Sequence, residues 1–122
     1  MNEKVYQKIF DEIGQYLVDG WSRLVVYLEY GAGSYSFAFY EKIEGKYIKC
    51  FDLEDVSEKS LLKTFQYIDK VVCKERAKAK EEWTNMTMTV TDKGDMHVDY
   101  DYTDFSQGNY KYQKAWKEKY LK

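Results

Sequence analysis

The chain has 122 residues and a net charge of −2, from 19 basic and 21 acidic side chains. That length suits one domain, residues 1–122, with a core of its own, and the balance of charge excludes a generally basic, DNA-coating protein. Hydrophobic residues at 44% exclude a disordered chain, and no apolar run approaches the roughly 18 residues of a membrane helix.

The opening Met1-Asn2-Glu3-Lys4 is polar and lacks the apolar stretch of a secretory leader. Apolar and aromatic side chains at Val5, Tyr6, Ile9, Phe10, Ile13, Tyr16 and Leu17 then recur at helical spacing, predicting a helix over 5–17 with one buried face. Gly20 is placed to stop it. From Arg23 to Tyr30 the period changes to two, with Leu24, Val26, Leu28 and Tyr30 opposed to Val25, Tyr27 and Glu29. A turn at Gly31-Ala32-Gly33 leads to a second alternating run, Ser34 to Tyr40. The pair reads as a β-hairpin. A further turn at Glu44-Gly45 introduces a third strand, Lys46 to Phe51.

Asp55 and Glu58 have capping-box spacing before Leu61, Leu62, Phe65, Ile68 and Val72. The stripe passes into a charged run, Lys74 to Glu82, without Gly or Pro. One helix of roughly six turns is expected, its second half exposed. Trp83 to Thr91 and Asp95 to Tyr102 alternate on either side of Asp92-Lys93-Gly94, a second hairpin. Tyr112, Ala115, Trp116 and Tyr120 then mark a short amphipathic helix, Tyr110 to Leu121. Strands joined by tight turns are antiparallel. The expected fold is therefore α+β, in the order α-β-β-β-α-β-β-α, with about five strands and the helices on one sheet face.

Little in the chain spells catalysis. Cys50 and Cys73 have no CxxC spacing and a single histidine beside them, so neither zinc nor redox chemistry is expected. Two isolated cysteines suit a reducing compartment, here the cytoplasm. The sequence has no GxGxxG, P-loop or HExxH motif. His97 would have to serve any Ser-His-Asp or Cys-His device, and no nucleophile stands near it in sequence. No cofactor is expected. Asp95, His97, Asp99 and Asp101 alternate down one strand face and Asp104 follows. The plain reading is the wet face of a half-exposed strand; a divalent-metal site, and with it an enzyme or metal-binding protein, is the alternative. Residues 84–106 carry Asp92, Asp95, Asp99, Asp101 and Asp104 against Lys93, net −4, a charge that can steer and dock a basic partner. The tail from Gln107 has five lysines and one glutamate among aromatics. Stacking on nucleic acid is an alternative there, but the helical spacing favours packing on the sheet, and no direct nucleic-acid partner is expected. The half-polar aromatics suit a protein-binding module, and a homodimer stays open.

The second hairpin carries a resemblance. Trp83-Thr84-Asn85-Met86-Thr87-Met88-Thr89-Val90, then Gly94, then His97 through Phe105, resembles the signature of the YezG-like immunity proteins. Trp116-Lys117-Glu118-Lys119-Tyr120-Leu121 is similar to the family's W-K-x-K-Y-L ending. The opening fits too, with Tyr6 to Ile9, Trp21, Glu29-Tyr30, and the aromatic strand through Phe37, Phe39 and Tyr40. The charged run Lys74 to Glu82 matches no family motif. The resemblance implies an antitoxin encoded beside a polymorphic toxin with an LXG-type export domain, leaving Gram-positive cells by the type VII route and often ending in a nuclease. It implies a non-enzymatic protein that stays in the producer's cytoplasm and blocks the cognate toxin by binding it. Asp95, His97, Asp99, Asp101 and Asp104 are the expected toxin-facing residues. A competing role for Asp99 and Asp101 is folding, by bonding backbone at the sheet edge.

Overall fold

The computed structural model describes residues 1–31 and 33–122. Its elements run α1 (Glu3–Gly14), β1 (Trp21–Gly31), β2 (Ser34–Ile43), β3 (Lys46–Lys49), a 3-10 turn (Cys50–Asp52), α2 (Glu58–Lys78), β4 (Asn85–Thr91), β5 (Met96–Asp101) and α3 (Tyr110–Tyr120). The class and the order are those the patterning predicts. All neighbouring strands are antiparallel, in the order β3-β2-β1-β4-β5.

Local chemistry moves several boundaries. The Asn2 side chain caps α1 by accepting from the Val5 N–H. The helix ends at Gly14 rather than Leu17, because Tyr16 and Leu17 tighten into turns, their N–H groups bonding Ile13 and Gly14. That turn stacks Tyr16 on Phe39, with ring centroids 5.9 Å apart. At Glu44-Gly45 both residues have positive φ, 51° and 79°, and Ile43 pairs with Lys46; this is the two-residue turn whose twist matches the strands. The expected Gly31-Ala32-Gly33 turn falls on Ala32, outside the described residues; Gly31 and Ser34 pair on either side of it. The third strand stops at Lys49, not Phe51. Cys50 turns inward, fully buried, and Phe51 swings onto Phe65.

The cap of α2 is Ser57, which accepts from the Ser60 N–H at 3.0 Å, not Asp55, which has a positive φ of 58°. The helix spans 21 residues, close to six turns, and closes at Lys78 rather than Glu82. Lys80 takes the left-handed conformation while the N–H groups of Lys80 and Glu81 return to Ala77 and Arg76, a Schellman closure made without glycine. Glu75 and Arg76 are half-buried, so the charged end is not wholly a solvent face.

The expectation of helices on one sheet face is corrected. Leu24, Val26 and Leu28 of β1 share a face with Phe39, Met86, Met88 and Val90. α1 and α2 cover it, bringing Ile9, Ile13, Leu61, Phe65 and Ile68. α3 lies on the opposite face, where the Trp116 ring meets Tyr27 at 4.7 Å and Tyr40 at 5.6 Å. The physical reason is in β1 itself. Val25, Tyr27 and Glu29 are as buried as their neighbours, so both faces of this central strand need a cover.

Candidate functional site

The second face is where most of the singled-out residues lie, and its chemistry is a meeting of tyrosines and carboxylates. Asn85, Thr87 and Thr89 of β4 and Glu29 of β1 are buried there. Such polar groups are tolerated inside when bonded. The Trp116 indole N–H donates to the Thr87 hydroxyl at 2.8 Å. Asn85 donates to the Leu28 carbonyl at 3.1 Å. Glu29 accepts from the Tyr27 hydroxyl, from the Asn109 amide at 2.7 Å and from Gln113 at 3.1 Å. These donors are neutral, and among the described residues no lysine or arginine pairs with Glu29. Burial raises the Tyr27 hydroxyl well above its ordinary range, and the bond to Glu29 adds to it.

The five expected site residues do not form one surface. Asp99 accepts from the Tyr120 hydroxyl at 2.8 Å on one oxygen and lies 2.9 Å from His97 Nε2 on the other. Burial, then the bond to Asp99, pushes Tyr120 up to about 12. Asp101 accepts from the N–H groups of Tyr102 and Thr103 and from the Thr103 hydroxyl, at 2.7 to 3.1 Å. Tyr112 reaches its second oxygen at 3.1 Å and Asn85 at 2.9 Å. Burial alone would raise the Asp101 carboxyl; the bonds from Thr103, Tyr112 and the backbone outweigh it and hold the group below its usual range. Asp99 and Asp101 thus brace α3 and the chain leaving β5. Asp95, His97 and Asp104 are exposed. Asp95 belongs to the β4–β5 turn, where its N–H bonds the Thr91 hydroxyl. Asp104 lies beyond the other end of β5 and caps Ser106 at 2.9 Å, a bond that lowers its carboxyl. Six residues of strand, roughly 20 Å, separate Asp95 from Asp101.

Among the described residues no group of three or more His, Cys, Asp or Glu side chains is arranged to hold a metal ion. Tyr112, Trp116 and Tyr120 of the tail are packed on protein, as their spacing predicts. Trp116 lies on Tyr27 and Tyr40, and Tyr112 on Phe105 at 5.0 Å. Tyr110 is exposed.

Sequence reasoning misses a cleft of about 500 Å³ at the end of the sheet, between α2 and residues 104–106. Asp69 sits in its wall and accepts from the Tyr30 hydroxyl at 2.8 Å and the Cys73 thiol at 3.1 Å. The Arg76 guanidinium lies over both Tyr30 and Trp83, about 5 Å from each ring. Burial raises Tyr30 strongly and Cys73 as well, so phenol and thiol keep their protons at neutral pH and neither is an activated nucleophile. The i, i+4 spacing of Asp69 and Cys73 was the available signal. Nothing in sequence brings Asp104 to the same cleft.

Among the described residues, no helix is long and apolar enough to cross a membrane. No curated protein matches the chain. The model of one protein family, described as "Immunity protein YezG-like", matches residues 2–122. The chain belongs to the YezG-like immunity protein family.

Proposed function

We infer that this protein neutralises a cognate secreted toxin domain by binding it in the cytoplasm of the producing cell, without catalysis and without a cofactor. The observation that carries the reading is the family match across residues 2–122, which gives the chain an immunity role and a toxin as partner. The finer reading is that the toxin is a polymorphic toxin of the LXG, type VII-exported kind, ending in a nuclease. Nucleases present a basic cleft to phosphate, and carboxylates on a rigid scaffold can occupy such a cleft by matching its charge. Asp95, with His97 two residues along, and Asp104 beyond the other end of β5 are the expected residues that face outward. In this reading they meet the toxin directly, while Asp99 and Asp101 act by holding α3 through Tyr120 and Tyr112.

The test is a pull-down from the source cells with the whole chain as bait, beside an Asp95→Lys/Asp104→Lys bait. Capture of one large protein with a C-terminal toxin domain, weakened in the variant and more so as salt rises, is the expected result. Equal capture by both baits would move the interface off these carboxylates. Failure to capture any such protein from cells shown to make it would overturn the binding role.

A further inference from the structure

The face covered by α3 is covered only in part. The bonds and ring contacts of α3 reach β1, β4 and β5, and reach β2 through the contact of Trp116 with Tyr40. None of them reaches β3. Between the flank of α3 and the β3 edge lies a groove of about 170 Å³, walled by Tyr40, Phe51 and Trp116, with Lys49, Lys117 and Gln113 at its sides.

Its charge is one-sided. Lys42, on the same face of β2, pairs directly with Arg23 on β1 and with Tyr47 on β3. Like charges opposite one another on neighbouring strands are destabilising unless something offsets them. Arg23, Lys42, Lys49 and Lys117 form no ion pair among the described residues. Lys42 and Lys49 lie instead over the rings of Tyr47 and Phe51, at 5.5 and 5.9 Å. The Tyr47 hydroxyl and Arg23 Nε are buried without a hydrogen-bond partner among the described residues. Acids stand at the margins. Asp95 shares a separate hollow with Arg23, and burial raises Tyr40 with smaller contributions from Cys50 and Asp52.

We propose that this groove docks an acidic segment of the partner protein, with one large apolar side chain entering between Trp116 and Phe51 and flanking carboxylates meeting Lys42, Lys49 and Lys117. An anion there would offset the unpaired cations, and aromatic walls favour a ring or long aliphatic chain. A nucleic-acid strand fits less well: the hollow admits one group rather than a stack, and the chain carries net negative charge. The proposal rests on the reading of this chain as a toxin binder. It gives that partner a second, acidic contact opposite in sign to the one made by Asp95 and Asp104.

The test needs no toxin, so its failure leaves the neutralisation reading standing. The whole, isotope-labelled chain is titrated at low salt with a capped pentapeptide, phenylalanine flanked by two glutamates on each side, and followed by amide and indole NMR shifts. Shifts confined to the surroundings of Tyr40, Lys49, Trp116 and Lys117 are expected. Lys49→Glu/Lys117→Glu should weaken binding by roughly tenfold. Lys49→Gln/Lys117→Gln should weaken it a few-fold, and serves if the charge reversal misfolds. Absence of shifts at millimolar peptide would overturn the proposal, as would equal binding by a folded variant. Larger shifts at the same residues with a ten-nucleotide oligothymidine would replace it with a nucleic-acid site.

Discussion

The indole N–H of Trp116 donates to the hydroxyl of Thr87 at 2.8 Å, and this bond joins the last helix to the middle of the sheet. It sits beneath a ring that contacts Tyr27, Tyr40 and Tyr120. Trp116 is the buried residue of α3, so the helix depends on it. Trp116→Ala should destabilise the protein by about 3–5 kcal/mol. Trp116→Phe should cost less, about 1–2 kcal/mol, since it keeps a ring but leaves the Thr87 hydroxyl without that partner. Urea unfolding of both variants checks the ranking.

Asp101 gives the acid limb of stability. Its folded carboxyl is held below the ordinary value. Its contribution is therefore present above the unfolded pKa and is lost as pH falls through the folded one. Asp101→Asn should lose about 1 kcal/mol at pH 7, a figure kept small because the group is partly open to solvent. The difference from wild type should shrink on acidification. Thermal melts from pH 7 to pH 3 read this directly.

Glu41 behaves in the opposite sense. It is wholly buried; one oxygen accepts from the Val18 N–H at 2.8 Å and the other has no partner among the described residues. Burial raises its carboxyl, which the Val18 bond only partly offsets. A raised folded pKa means stability is greatest below the unfolded value and declines as pH rises through the folded one. Glu41→Gln should equal or fall slightly below wild type near pH 4. It should exceed wild type at pH 8 by on the order of 1 kcal/mol, since a neutral amide is cheaper to bury than a carboxylate. Denaturant midpoints at the two pH values decide it.

Arg76 fastens the end of α2 to the segment that leads into β4. Its Nε and Nη2 donate to the Trp83 carbonyl at 3.1 and 2.5 Å while its plane covers Tyr30 and Trp83. Arg76→Lys keeps the charge but loses the paired donors and the flat contact. A loss of about 1–2 kcal/mol is expected, with the amides of residues 79–84 exchanging faster with solvent than in the wild type.

Much of this architecture is written in local patterns. The alternation of Met86, Met88 and Val90 against Asn85, Thr87 and Thr89 places β4 and its two faces, and the Trp116 stripe places α3 against the sheet. The side of the sheet that α3 takes is not local information. It follows from Val25 and Tyr27 needing cover beneath a face that also carries Glu29, Asp99 and Asp101. Alternation alone makes those acids look solvated. Glu29 is bonded by Asn109 and Gln113, Asp101 by Tyr112 and Asp99 by Tyr120, from 11 to 84 positions away, and no spacing rule announces them. The same holds for the cleft, where Asp69 and Asp104 meet from distant segments.

Under the proposed function, Asp95 and Asp104 serve binding while Asp99 and Asp101 serve folding. Asp99→Lys/Asp101→Lys should lower the melting temperature by several degrees, because it breaks the bonds to Tyr120, Tyr112 and the backbone after β5. Asp95→Lys/Asp104→Lys should change it little. Scanning calorimetry of the two double variants distinguishes the roles.

The central claim is that this chain protects a cell by binding a toxin. Its most direct measurement is growth of a bacterial host producing a candidate cognate toxin domain, with and without this chain, followed by size-exclusion chromatography of the two proteins mixed. The account predicts restored growth and a stable complex, with protection reduced by Asp95→Lys/Asp104→Lys. Continued killing with no complex, while the chain is abundant and folded, would contradict it.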